Sequence, residues 1–267
     1  ILQQNGDYDG ALDAYMHAMD IFPDYKYNYL NIASIKSLKG DAKGAADYYN
    51  KFLYYYPDHV ATRENLAATF LAMNEPDKAV KEYTYIYKTN PTQFKQYSNF
   101  GKALVMAKDY DNAIIALERA IQKNSNDVQA HANLAIAYSN TKQTDKALVQ
   151  YEKALSLNPD LHLLRLDYAH LLADLNKNDE AIAQYNLYLK ANPNDALAHF
   201  NLGLMYQRKQ NLSAAIDEFN TVIKLDPTNN DAKKELARTY HVAKDYNRAL
   251  TLYNELLKNQ KDDAELF

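Results

Sequence analysis

Asparagine returns every 34 residues at Asn31, Asn65, Asn99 and Asn133, and the series continues as Asp167, Asn201 and Glu235. A carboxamide offers two N–H donors and one carbonyl acceptor. That complements a peptide group, so a row of carboxamides can hold an extended chain by its backbone with little regard to side chains. Charged residues flank the row. Lys95, Asn99 and Lys102 fall at i, i+4 and i+7, the spacing of one helix face, and suit a carboxylate or an acidic side chain. Asp167, His170 and Asp174 form an acidic counterpart at similar spacing, with Leu163, Leu197 and Leu204 as apolar surface beside it. Such a change of charge along the row can orient a bound segment, a role charge serves better than raw affinity.

Covalent and metal chemistry have no comparable footing. The sequence holds no glycine-rich phosphate loop, no nucleophile elbow and no zinc-binding helix motif. With no cysteine there is neither a disulfide framework nor a thiolate metal site. His131 and His199 share one register, where partial burial against a neighbouring helix is expected, and neither has a second ligand at a usable spacing. No catalytic residue, metal or cofactor is therefore expected. A formal charge of −4 and a pI near 6.0 argue against nucleic acid as the ligand. No run approaches the roughly 18 apolar residues of a membrane helix. The composition is compatible with cytoplasm and periplasm alike.

The elements that position these residues follow a 34-residue beat. Pro23, Pro57 and Pro91 keep it, as do Pro159, Pro193 and Pro227, with Ser125 in the one missing slot. Ala11, Ala45, Ala79, Ala113, Ala147, Ala181, Ala215 and Ala249 keep it without exception. A fixed period in this range means a solenoid of small helical units. With the proline at position 32, full units run 26–59, 60–93, 94–127, 128–161, 162–195, 196–229 and 230–263. A partial unit, 1–25, precedes them and the start of another, 264–267, follows.

Each unit shows two apolar runs at helical spacing, parted by breaks such as Lys39–Gly40–Asp41 and Ala107–Lys108–Asp109. Asp9, Asp77, Asp111, Asp145 and Asp179 recur before the second run and are expected to cap it. The proline ends it, since it cannot continue a helix cheaply. Small residues at the eighth position (Ala33, Ala67, Gly101, Ala135, Ala169, Gly203, Ala237) face the alanines at the twentieth and let two helices approach closely. Large residues surround them: Phe70, Leu104, Tyr138, Leu172, Tyr206 and Tyr240 at the eleventh position, and mostly tyrosine at the twenty-fourth. Lys36 in that eleventh slot predicts looser packing in its unit. Of Tyr54, Tyr55 and Tyr56, packing is expected to use one or two rings and leave the remainder exposed.

This pattern resembles the tetratricopeptide repeat family, most closely at Leu202–Gly203, Tyr206, Ala215, Phe219 and Pro227. The resemblance covers essentially the whole chain and implies an all-α solenoid of helix-turn-helix units coiling into a right-handed superhelix. It also implies that the first helices line a concave groove, with the sixth position of each unit, the asparagine register, facing into it. The family's early tryptophan is replaced here by Tyr29, Arg63, Tyr97, His131, Arg165, His199 and Lys233. The Lys/Asn/Arg set of the family's chaperone-tail clamp is absent. The expected function is a scaffold for a protein or peptide partner, without nucleic acid or membrane insertion. The alternatives are a structural or self-assembling spacer, and the substrate-recruiting arm of a larger enzyme. Both ends are expected to cut through a repeat of a longer parent. Ala249, Leu252, Tyr253 and Leu256 would then face no further neighbour and allow end-to-end contacts between copies.

Overall fold

The computed structural model describes residues 5–264, and among them every regular element is a helix. The expected mid-repeat opening at Ile1 lies outside the described residues, as does all of the 264–267 stub except the end of the last helix. The chain forms two compact units, divided between Gln150 and Tyr151. Unit 1 holds α1 (Tyr8–Ile21), α2 (Tyr27–Leu38), α3 (Ala42–Tyr55), α4 (Val60–Ala72), α5 (Pro76–Thr89), α6 (Tyr97–Met106), α7 (Tyr110–Lys123) and α8 (Val128–Asn140). The division falls inside α9 (Thr144–Leu157). Unit 2 continues with α10 (His162–Asp174), α11 (Asn178–Ala191), α12 (Ala196–Arg208), α13 (Leu212–Leu225), α14 (Asn230–Val242) and α15 (Tyr246–Ala264). Within each unit, helices adjacent in the chain pack on one another, which makes an all-α helical-repeat solenoid.

Close approach within a helix pair comes from the two small registers. Ala33, Ala67, Ala135, Ala169 and Ala237 have no accessible surface, nor do Ala45, Ala79, Ala113, Ala181 and Ala215. The turn inside each pair uses a register hidden in the sequence. Gly6, Gly40, Asn74, Lys108, Lys142, Asn176, Gln210 and Lys244 all adopt positive φ, from 56° to 80°. A left-handed residue just past a helix lets the chain turn back and satisfy its last carbonyls. Only two of the eight are glycine, so the others carry a Cβ penalty of about 1–2 kcal/mol. Lys142→Gly is accordingly expected to stabilise unit 1 by about 0.5–1 kcal/mol after the entropy glycine costs in the unfolded chain. Thermal unfolding checks this, and a lowered Tm would show that the Lys142 side chain contributes more than its φ costs.

The second helices end two residues before the periodic proline, at Ile21, Tyr55, Thr89, Leu157, Ala191 and Leu225. α7 ends at the same place, Lys123, although Ser125 fills the slot. There the Asn124 side chain accepts from the Asn126 N–H at 3.1 Å and turns the chain without proline.

The slot of the family's tryptophan holds a polar clasp. Arg63 Nε donates to the Pro57 carbonyl at 2.7 Å and its guanidinium pairs with Glu82. Arg165 donates to the Pro159 carbonyl at 2.8 Å and to Gln184 at 2.7 Å. His131 reaches the Ser125 carbonyl and Gln150, and His199 the Pro193 carbonyl and Glu218. One donor residue thus ties the turn six residues before it to the second helix 19 residues after it. This replaces a ring's burial with hydrogen bonds, charge-assisted at Arg63 and Arg165. It also explains why His131 is buried and His199 half-buried.

Three expectations are corrected or refined. The capping residues are Asp7, Asp41, Asp109 and Asn211, whose side chains accept from the amides of Gly10, Gly44, Asn112 and Ala214. Asp9, Asp77, Asp111, Asp145 and Asp179 lie two residues later, inside the first turn, where the free N–H groups still favour negative charge. Two of them also bind the preceding turn of the next helix pair, as the pairs Lys39–Asp9 and Lys209–Asp179. Lys36 fills its eleventh slot by pairing with Asp41 at 2.8 Å, while Ile32, Ala33 and Ile35 beside it are fully buried. Tyr55 stacks on Tyr29 and Tyr56 packs on Phe52, whereas Tyr54 is 81% exposed.

Candidate functional site

The asparagine register lies on first helices: Asn31 on α2, Asn65 on α4, Asn99 on α6, Asn133 on α8 and Asn201 on α12, with Asp167 on α10 and Glu235 on α14. Shared register does not give these side chains a shared state.

In unit 1, Asn65 is exposed and lines a groove of about 550 Å³ between α2 and α4, with Ser34, Ser37, Ala68 and Thr69. Asn31 is half-buried beside Tyr15, Phe22 and Asn28, in a recess of about 750 Å³. Among the described residues neither amide has a hydrogen-bond partner. Asn99 is exposed and only loosely engaged, accepting from Gln129 Nε2 at 3.4 Å. Asn133 differs: its Nδ2 donates to the Gln129 carbonyl of its own helix at 2.8 Å. Part of its capacity is spent locally, as is common for Asn within a helix.

Lys95 leaves the predicted helix face. α6 begins only at Tyr97, so Lys95 sits in the turn before it and lines a separate recess with Asp58, Asn90 and Gln93. His59, Asp127, Asp195 and Asn229 cap the corresponding first helices α4, α8, α12 and α14, and Gln93 occupies that place here without capping. Leu161 gives α10 no cap bond either, yet α10 begins in register, so the missing cap does not by itself shorten α6. Phe94 turns inward instead, 1% exposed, edge-on to Tyr97 and Tyr87. Burial of that ring outweighs one more turn of helix, which packing commonly does to local propensity. Lys102 stays on α6 with Asn99, half-buried and without a carboxylate partner among the described residues.

In unit 2, Asn201 Nδ2 lies 3.3 Å from His170 Nε2, and the His170 ring lies 5.7 Å from that of Tyr185. The arrangement ties α10 to α12 and holds both side chains. Asp167 and Asp174 are exposed and, among the described residues, in no ion pair. Desolvation nevertheless raises the Asp167 carboxyl above its ordinary value, with His170 acting in the other direction. Leu163 and Leu197, 75% and 65% exposed, stand one turn before Asp167 and Asn201 on the same helices. Glu235 is engaged by Arg238 at 2.9 Å and by Gln207 at 3.4 Å.

The carboxamides can donate and accept hydrogen bonds, Lys102 can pair with an anion, and Asp167 and Asp174 with a cation. No three His, Asp or Glu residues converge as metal ligands among the described residues. No helix among them is long and apolar enough to cross a membrane.

Family models described as tetratricopeptide repeat match residues 27–59, 128–161, 166–230 and 207–267. Curated protein sequences give no match. Among solved structures, YrrB, described as a TPR protein with an unusual peptide-binding site, is 22% identical with a TM-score of 0.60, over 67% of this chain and 93% of YrrB. MamA 41-end from Desulfovibrio magneticus RS-1 is 20% identical with a TM-score of 0.55, over 63% of this chain and 95% of that one. MamA AMB-1 is 23% identical with a TM-score of 0.58, over 62% and 90%. At such identities the likeness carries the fold.

Proposed function

This chain belongs to the tetratricopeptide repeat family, whose members are protein-interaction scaffolds and generally not catalysts, and from that premise we propose that its first-helix face binds an extended peptide by the backbone. The observation that carries the proposal is the state of Asn65 and Asn99: exposed, in register, and with most of their amide capacity unspent. Asn31 extends the row, Asn133 contributes less, and Lys102 beside Asn99 favours an acidic group on the ligand. Lys95 drops out because it lies off the helix. The peptide-binding site named for YrrB supports the reading by fold likeness. In unit 2, Asp167 and Asp174 favour a basic side chain, while His170 and Asn201 hold one another between α10 and α12. The 34-residue units from 26 to 263 are the repeats of this scaffold, each holding one helix pair.

A displayed library of random peptides panned on the protein supplies the ligand. Asn65→Ala with Asn99→Ala is expected to weaken selected peptides about tenfold, as for two or three hydrogen bonds of roughly 0.5–1.5 kcal/mol each. Asn133→Ala alone is expected to cost less, and circular dichroism should stay unchanged. Peptides that bind the double variant as tightly as the parent would exclude the asparagine face.

A further inference from the structure

At three junctions a tyrosine on a first helix bonds through its hydroxyl to the second helix before it, a polar plug between the two. Tyr138 donates to Glu118 at 2.5 Å, Tyr168 to Glu152 at 2.9 Å, and Tyr206 accepts from Asn186 at 3.3 Å. Tyr138 and Tyr206 stand 20 residues after their partners; the pair at the same separation between α5 and α6 is Thr84 and Leu104. Phe100, in the register of Tyr168, brings a ring but no hydroxyl. No plug forms, and a pocket of about 320 Å³ opens between α5, α6 and α7. Its floor is apolar, with Val80, Phe100, Leu104 and Ala116, and Ile115 stands at the edge, 54% exposed.

Arg119 stands at the mouth. Its guanidinium donates to the Tyr87 hydroxyl at 3.0 Å and lies 5.8 Å from the Tyr97 ring centre. No carboxylate pairs with it among the described residues. The nearby Asp109 carboxylate is taken up by the Asn112 side chain at 2.8 Å. We propose that this pocket takes an aromatic side chain of a partner polypeptide, with an adjacent Asp or Glu of the same segment on Arg119. The missing tyrosine and glutamate of this junction are then supplied from outside. The volume lies at the lower end of known ligand pockets, which suits one ring and not an extended ligand. Two tyrosines around a guanidinium that pairs with no carboxylate among the described residues favour a flat anionic partner. The site lies on the second-helix side of α6, away from Asn99, so it is independent of the asparagine face.

The test uses acetyl-Gly-Trp-Glu-Gly-amide as probe. The chain has no tryptophan, so indole fluorescence reports the peptide alone. Saturable binding is expected, weakened at least about tenfold when Glu in the probe becomes Gln. Thr84→Glu with Leu104→Tyr rebuilds the neighbouring plug and is expected to abolish binding while Tm holds or rises. Ile115→Glu, on an exposed side chain, should also weaken the probe about tenfold by repelling its acid and pairing with Arg119. That variant decides the matter if the plugged protein does not fold. Asn65→Ala with Asn99→Ala should leave probe affinity unchanged, which separates this site from the first-helix face. Absence of saturable binding to the parent, or equal binding to the Ile115→Glu or plugged variants, overturns the proposal.

Discussion

Phe219→Ala is expected to remove about 3–5 kcal/mol from unit 2. Phe219 has no accessible surface and sits on α13 at the centre of a cluster with Ala215, Leu236, Tyr240 and Ala249. Phe200 meets it at 5.7 Å with rings tilted by 59°. Truncation takes away the ring's transfer free energy and leaves a void whose walls are helices already held at close approach by Ala215 and Gly203. Such walls collapse poorly, which puts the cost at the upper part of the range for large-to-small changes. Urea unfolding followed by circular dichroism measures it. A loss under about 1 kcal/mol would mean that unit 2 draws its stability from elsewhere.

Gly203→Ala is expected to destabilise unit 2 by about 1–3 kcal/mol, although alanine is the better helix former by roughly 1 kcal/mol. A Cβ at Gly203 would lie 2.7 Å from Phe219 Cε1, and the ring is buried with no room to retreat. Gly101→Ala supplies the control. Its Cβ would meet Leu117 Cδ2 and Cγ at 2.4 Å, a closer contact with an equally buried side chain, but an aliphatic one that has other rotamers to adopt. Gly101→Ala should therefore cost less than Gly203→Ala in the same assay. The reverse order would mean that contact distance, not the freedom of the facing side chain, sets the cost. In the remaining pairs the eighth position is alanine (Ala33, Ala67, Ala135, Ala169 and Ala237) and the facing residue 16 later is always tyrosine, so a ring as such accommodates a Cβ and the cost at Gly203 comes from where the Phe219 ring lies. Glycine stands opposite Leu117 and Phe219 alone, so the two registers vary together.

The helices were legible because their signals are local. Apolar spacing, small residues and a turn every 34 residues are each read within a few positions, and hydrogen bonds inside one helix answer to the same few positions. Two details were misplaced for the same reason. Five aspartates looked like caps, but the cap is the residue whose backbone leaves the helix, two positions earlier, as at Asp7 before Asp9 and Asp109 before Asp111. The αL register was invisible because lysine, asparagine and glutamine fill it as well as glycine, under a backbone requirement that leaves no single residue type.

The sequence by itself determined the repeat, the helix pairs, the small-residue contacts between them and the register of the asparagines. Only the tertiary structure decided which asparagines are available. Asn133 spends its amide on its own helix and Asn201 faces His170, while Asn65 and Asn99 remain open. It also decided that burial of Phe94 shortens α6 and removes Lys95 from the row. The physical reason is range. A register follows from the backbone period, but a side chain's hydrogen-bonding state and the space beside it depend on residues 20 to 34 positions away, such as the absent plug at Thr84 and Leu104.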